Sequence, residues 1–121
     1  MTDERRLKVE ITEQKSITTV IFSGKYKPLS IILMREIINA LIRNNRLKLI
    51  IQFGNLTELD KSAYDYLESV HNEVARLGGS IVLICPSDQP KGICNQLKQK
   101  YHFLLFPNFE EARRFFIERE F

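Results

Sequence analysis

Two short and almost uninterrupted apolar runs constrain the fold of this chain more than any other feature of its sequence. Leu47–Phe53 (LKLIIQF) and Ser80–Cys85 (SIVLIC) have the length of β-strands. Such runs are typical of strands that are buried on both faces of a parallel sheet. The segment between them has apolar residues at intervals of three and four, which predicts an amphipathic helix: Ala63, Leu67, Val70, Val74 and Leu77. A strand–helix–strand unit is therefore the predicted centre of the fold.

The N-terminal third predicts a hairpin and a further helix. Leu7–Glu13 alternates apolar and polar residues like a half-buried edge strand, and Ile17–Phe22 is a β-branched strand ending at Gly24, so the two are predicted to pair antiparallel. Pro28 suits the first turn of a helix, where its missing N–H needs no partner, and a helix is predicted over Leu29–Arg43. We expect this helix to be covered on more than one side, because its apolar stripe is wide: Leu29, Leu33, Ile37, Ala40 and Leu41, widened by Ile31, Ile32, Met34, Ile38 and Ile42.

The C-terminal half completes the predicted order. Asp60 is a predicted N-cap of the central helix, since a short carboxylate can accept the free amides of the first turn. After a loop at Pro86–Gln89, a helix is predicted over Pro90–Lys100 and a strand over Phe103–Phe106, and Asn108 caps a last helix. The residues predicted to face inward from these two helices are Ile93, Leu97, Ala112, Phe115 and Phe116. The order ββαβαβαβα indicates an α/β fold with a mostly parallel sheet, an antiparallel edge strand and covering helices.

Length and composition fit one domain of this kind. The chain has 121 residues, 44% hydrophobic and 27% charged, and we expect a single domain over residues 1–121 with its core at about 7–117. Its net charge of +3 is spread without a basic stripe, which argues against nucleic-acid binding. The N-terminus lacks the apolar run of a secretory signal, and no stretch approaches the roughly 20 apolar residues of a membrane span. We expect a cytoplasmic protein without membrane insertion.

The sequence contains no recognisable catalytic or metal-binding motif. It has no Gly-rich phosphate-binding loop and no G-x-S-x-G nucleophile elbow. His71 and His102 lack carboxylate or thiolate partners at the spacing of metal ligands. Cys85 and Cys94 form no CxxC pair and are expected to stay reduced, with Cys85 as a small apolar filler at the end of a strand. We therefore predict no enzyme activity, no metal and no cofactor.

Four local motifs accompany this order of elements. The segment LIIQFGNLTELDKSA joins a buried strand to a helix N-terminus, and Gly24–Lys27 (GKYK) follows the second strand. Gly78-Gly79 precedes SIVLIC, and an F-x-x-x-E-E-A pattern covers Phe106–Ala112. In its element order and in these motifs the chain resembles the STAS domain, the fold of bacterial anti-sigma factor antagonists, over nearly its whole length.

The resemblance implies a phosphorylation site that is altered here. The family signature is Asp-Ser-Ser/Thr-Gly, and in anti-sigma factor antagonists a kinase-like anti-sigma factor phosphorylates its first serine, which abolishes binding. That position falls on Lys61, while Ser62 falls on the second hydroxyl position and is a candidate phosphorylation site. Ala63 replaces the glycine, and Lys27 stands where the family usually has Asp. An acidic region of the family is therefore predicted to be cationic here, unless both lysines are ordinary surface residues.

The resemblance predicts a regulatory protein-interaction module that binds an anti-sigma factor or another signalling partner without the usual serine switch. The predicted partner-binding residues surround the start of the central helix: Lys27, Thr57, Glu58, Asp60, Lys61, Ser62 and Asp65. Two alternatives stay open. One is a STAS subunit of a lipid-transport, stress-signalling or transporter assembly. The other is a small anion- or ligand-binding protein that uses the helix N-terminus, where free amides and the helix dipole favour anions.

Overall fold

A five-stranded sheet organises the chain. The computed structural model describes residues 6–88 and 90–119; Gln89 of the predicted loop and both ends of the expected 1–121 domain lie outside these ranges. The described strands are β1 (Leu7–Gln14), β2 (Ile17–Gly24), β3 (Lys48–Gln52), β4 (Ser80–Ile84) and β5 (Leu104–Phe106). The described helices are α1 (Ser30–Arg43), α2 (Lys61–Arg76), α3 (Gly92–Tyr101) and α4 (Phe109–Glu118). The predicted order and fold class are confirmed.

The strands lie side by side in the order β1-β2-β3-β4-β5. β1 pairs antiparallel with β2, and Lys15 and Ser16 turn the chain between them with positive φ angles of 50° and 71°. β2, β3, β4 and β5 are parallel, as the two apolar runs predict. Their carboxyl ends therefore meet at one edge of the sheet, where the loops that lead into the helices begin.

The helices divide unequally between the two faces of the sheet. On β3, Leu49 and Ile51 pack with residues of α1, α2 and α3, whereas Ile50 packs with Phe116 of α4. Because successive side chains of a strand point to opposite faces, one sheet face carries three helices and the other carries one. The apolar runs are thus buried on both faces, as predicted.

The predicted apolar stripe of α1 is wrong at Leu29, Ile32 and Leu33, whereas Ile37 and Leu41 pack against the core as predicted. The helix begins at Ser30 rather than at Leu29, and its fully buried residues are Met34 and Ile38. Leu29 is 76% exposed and Ile32 is 53% exposed, and Leu33 is also exposed. The reason is that α1 is covered on one side by the sheet and α2, while its other side faces solvent.

Smaller departures lie at the ends of elements. Ile11 lies in the part of β1, residues 10–14, that is exposed throughout, and Leu77 is exposed because it is the C-cap of α2. α3 begins at Gly92, two residues after the predicted Pro90. The inward positions of α2, α3 and α4 are otherwise as predicted, with Phe115 only half-buried.

Candidate functional site

The candidate site is built where the loops after β2 and β3 run beside each other. Gly54 permits this close approach, because its φ is +42° and a Cβ there would lie 2.8 Å from the carbonyl oxygen of Phe22. The Gly24 N–H donates a hydrogen bond to Asn55 Oδ1 at 3.3 Å. The two loops enclose a cleft of about 440 Å³, whose lining includes Lys25, Tyr26, Lys27, Thr57 and Glu58.

Asp60 connects this cleft to α2. Its Oδ1 accepts a hydrogen bond from the Ala63 N–H at 3.0 Å, which confirms the predicted N-cap. The same oxygen accepts hydrogen bonds from Ser62 Oγ at 2.8 Å and from the Tyr26 hydroxyl at 3.1 Å. One carboxylate thereby fixes both the start of α2 and the loop after β2.

These hydrogen bonds shift the pKa values of both Asp60 and Tyr26. Slight desolvation acts to raise the pKa of the Asp60 carboxyl, but the hydrogen bonds from Ser62, Ala63 and Tyr26 together hold that pKa below its ordinary value. Burial, and then the hydrogen bond to the negative Asp60, raise the pKa of Tyr26 to about 12. Asp60 is therefore a carboxylate, and Tyr26 a neutral donor, at neutral pH.

Lys61 points away from this cluster into solvent. Its side chain is 88% exposed, and its Nζ contacts Asp65 Oδ2 at 2.7 Å, one helical turn further along α2. The hydrogen bond and the charge of Asp65 raise the pKa of Lys61, so that its ammonium is fully charged at neutral pH. Because one carboxylate accompanies it, the first turn of α2 presents an ion pair rather than an isolated cation.

The predicted site residues divide into three groups. Lys27, Thr57 and Glu58 are exposed around the cleft, and Asp60 and Ser62 form the cap described above. The third group is the exposed ion pair of Lys61 with Asp65. Tyr26 connects the first two groups, since it lines the cleft and donates to Asp60.

Sequence reasoning missed two parts of this region. One is Tyr26, whose partner Asp60 is 34 residues away, so that no local pattern indicates the contact. The other is the solvent-facing row at the start of α1, formed by the N-cap Leu29 with Ile32 and Leu33. A signal for it existed, because apolar residues cover more of the circumference of α1 than one buried face requires.

Among the described residues, neither a metal-binding cluster, a membrane-spanning helix nor a histidine contributes to this site. Within residues 6–88 and 90–119 no group of three or more His, Cys, Asp or Glu side chains could hold a metal ion. No helix in the same ranges is long and apolar enough to cross a membrane. His71 stacks on Phe103 with the ring centres 4.1 Å apart, and burial lowers its pKa. His102 is the left-handed C-cap of α3.

Comparisons with known proteins agree with this architecture. The family model of the STAS domain matches residues 8–112. An anti-sigma factor antagonist from Mycobacterium paratuberculosis has a similar structure, with a TM-score of 0.76 and 11% sequence identity over 94% of this chain and 97% of that one. SpoIIAA, an anti-sigma factor antagonist in its unphosphorylated form, is similar with a TM-score of 0.69 and 15% identity over 95% and 100% of the two chains. No curated protein sequence gives a significant match.

Proposed function

The chain belongs to the STAS domain family, and on that premise we propose that it is a cytoplasmic, non-enzymatic regulator that docks onto an anti-sigma factor or a related signalling protein. We further propose that it does so without the serine phosphorylation that switches antagonists of the family. The observation that carries this proposal is the local structure at the start of α2. There Lys61, which the family resemblance equates with the phosphorylated serine, forms an ion pair with Asp65.

The environment of Ser62 also disfavours a regulatory switch based on phosphorylation of this residue. Its hydroxyl donates to Asp60 Oδ1 at 2.8 Å, and Asp60 in turn caps α2. A phosphate on Ser62 would remove that donor and place a charge of about −2 beside a carboxylate that stays ionised. Repulsion between the two would disturb the cap, so transfer to Ser62 is expected to be slow even though the side chain is exposed.

The proposed partner surface, here called the docking face, combines the predicted site with the exposed row of α1. It consists of Lys27, Leu29, Ile32, Leu33, Thr57, Glu58, Asp60, Lys61, Ser62 and Asp65. The two halves are connected, because Tyr26 donates to Asp60 and the Lys27 N–H donates to Ser30 Oγ at 2.9 Å, in the first turn of α1. Apolar side chains beside charged ones are the composition of a protein interface with a dry centre and a polar rim.

The exposed row of α1 also favours the second candidate function, a permanent subunit of a larger assembly. Leu29, Ile32 and Leu33 lie three and four residues apart and so share one side of the helix. Permanent interfaces are more apolar than transient ones. A partner that never dissociates also has no need of a phosphorylation switch.

A binding experiment in the presence of nucleotide tests the proposal. The purified protein is mixed with a kinase-type anti-sigma factor from the same genome, with ATP and with ADP, and both association and intact mass are measured. We expect equal affinity in the two nucleotides and no added phosphate. The control is an unaltered antagonist with the Asp-Ser-Ser signature, which the same kinase should phosphorylate and release. Efficient phosphorylation of Ser62 with release of the partner would contradict the proposal, and binding only to a non-kinase subunit would select the second candidate.

A further inference from the structure

The outer edge of β1 is open for strand pairing in the part of the chain that the structure describes. β1 is the first strand in the order of the sheet, and it pairs with β2 on its inner side. The Lys25 N–H donates to the Arg6 carbonyl at 3.3 Å, so these two facing residues form a hydrogen-bonded pair. Hydrogen-bonded and non-hydrogen-bonded pairs alternate along an antiparallel ladder. The N–H and C=O groups of Leu7, Val9 and Ile11 therefore point away from β2, to the outer edge.

The side chains of this edge form an apolar row on one face of the sheet and a charged row on the other. Leu7 is buried, Val9 packs against the core, and Ile11 is 47% exposed. Lys8 and Glu10 alternate with them and lie opposite uncharged residues of β2. Among the described residues neither Lys8 nor Glu10 has an ion-pair partner. The edge thus presents one positive and one negative side chain, two residues apart on the same face.

We propose that β1 pairs antiparallel with β1 of a second copy of this chain, about a two-fold axis at Val9. In this register each Leu7 faces Ile11 of the other copy, which gives the exposed Ile11 an apolar neighbour. Each Lys8 faces Glu10 of the other copy, so that two pairs of opposite charge form across the axis. Opposite charges directly across an antiparallel pair stabilise it. The outward backbone groups of all three apolar residues find partners in the same register.

The neighbouring registers satisfy the same backbone groups but place the side chains badly. An axis at Glu10 sets that carboxylate against its own copy, and like charges directly opposite each other are destabilising. An axis at Ile11 sets Val9 against Glu13, whose carboxylate is already paired with Arg46 at 2.9 Å. Charged side chains on an edge strand usually prevent such pairing. Here their opposite signs, two residues apart, make them complementary in the register centred on Val9.

The proposed axis determines where the docking faces of the two copies lie. It stands perpendicular to the sheet and joins two five-stranded sheets along their β1 edges, so the two β2 strands run in opposite directions. The loops after β2 and β3 of one copy are then at the opposite end of the joined sheet from those of the other. The dimer therefore presents two docking faces that point apart. This consequence rests on the proposed function, whereas the pairing of β1 does not.

Sedimentation velocity of the protein alone, over a range of concentrations, tests the pairing without any other protein. We expect a reversible dimer. Lys8→Glu and Glu10→Lys should each raise its dissociation constant about tenfold, because either change turns two attractive pairs into two repulsive ones. The double variant Lys8→Glu/Glu10→Lys should restore the dimer. The two single variants alter the net charge in opposite directions, so a common loss followed by this rescue excludes an effect of net charge.

Crosslinking of two separately purified variants, Lys8→Cys and Glu10→Cys, tests the register. In a non-hydrogen-bonded pair the two Cα atoms are about 4.5 Å apart, which a disulfide can span. Under mild oxidation the mixture should form a disulfide-linked dimer that neither variant forms alone, and the unaltered protein controls for Cys85 and Cys94. Self-crosslinking of Glu10→Cys alone, or no additional crosslinking in the mixture, would overturn the proposal. So would a monomer at every concentration of the unaltered protein, a result that holds even where a variant folds poorly.

Discussion

A single oxygen atom, Oδ1 of Asp60, accepts the hydrogen bonds that hold the start of α2 and the loop after β2. The part of this arrangement that lies within a few residues could be predicted from the sequence. Asp60 precedes the helix, and a short acidic side chain at that place is a typical N-cap. The contact with Tyr26 could not be predicted, because it depends on how the parallel pairing of β2 with β3 brings two distant loops together.

Asp60→Ala is expected to destabilise the protein by about 0.5–2 kcal/mol at neutral pH, the usual loss for a removed N-cap. The folded-state pKa of Asp60 is lowered relative to the ordinary 3.8. Its contribution is therefore complete above about pH 3.8 and is lost as the pH falls through the lower folded-state value. Urea unfolding of both proteins at neutral and strongly acidic pH measures this. The difference in the free energy of unfolding between the two proteins should be smaller in acid. An equal difference at both pH values would contradict the assignment of Asp60 as the N-cap of α2.

Leu67→Ala tests the predicted inner row of α2. Leu67 is fully buried among residues of the sheet and α1, so we expect a loss of about 2–5 kcal/mol in the free energy of unfolding. Leu77→Ala removes the same atoms from a side chain that is 43% exposed, and serves as the matched control. Its loss should be below about 1 kcal/mol, since few contacts disappear. If chemical unfolding gave both variants the same loss in the free energy of unfolding, the inner face of α2 would be wrongly assigned.

At the scale of elements, α1 shows why hydrophobic spacing alone could not identify a buried face. Most of its fourteen positions are apolar, so several stripes fit the helical period equally well. Spacing placed Leu29 and Leu33 in the main row and Met34 and Ile38 only among the residues that widen it. The fold buries Met34 and Ile38 and exposes Leu29 and Leu33. For α2 the same reasoning succeeded, because charged and polar residues leave a single narrow apolar row.

Ile32→Lys and Met34→Ala separate the two sides of α1. Ile32→Lys changes a side chain that is 53% exposed and should alter the free energy of unfolding by less than about 0.5 kcal/mol. Met34→Ala opens a cavity beneath the same turn and should cost about 2–5 kcal/mol. If α1 belongs to the docking face, Ile32→Lys also weakens partner binding in a calorimetric titration while the protein stays folded. Normal binding by that variant would remove α1 from the docking face.

At the scale of the whole molecule, the fold was predictable because each element and each connection carries its own signal. Buried runs, amphipathic segments and short loops leave few topologies, since crossovers between parallel strands are right-handed. The candidate site is different, because it is assembled from two loops and the first turns of two helices. The family resemblance predicts that Lys27 and Lys61 are altered positions of the family motif, and this stays a prediction. The i,i+4 spacing of Lys61 and Asp65 on a predicted helix could have indicated their ion pair. Nothing near Lys27 in the sequence indicates that it borders a cleft with Glu58.

The molecule carries a net charge of +3, but the proposed docking face holds two lysines against three carboxylates, Glu58, Asp60 and Asp65. If the partner places an acidic group opposite Lys61, Lys61→Glu should slow association and weaken binding, both by reversing a charge and by repelling Asp65. Arg114→Glu is the matched control. It changes the net charge equally, but its exposed side chain is on α4, the helix on the other face of the sheet.

Association rates and affinities of the two variants are compared at low and at high salt. The loss caused by Lys61→Glu should shrink as the Debye length falls from about 30 Å at 0.01 M to about 8 Å at 0.15 M ionic strength. Arg114→Glu should change the association rate only slightly, through the overall field of the molecule. If both variants lost the same association rate and affinity, net charge rather than a local contact at Lys61 would govern the encounter. An unchanged affinity in Lys61→Glu would place the partner elsewhere on the surface, because the first turn of α2 could not then lie inside a charge-complementary interface.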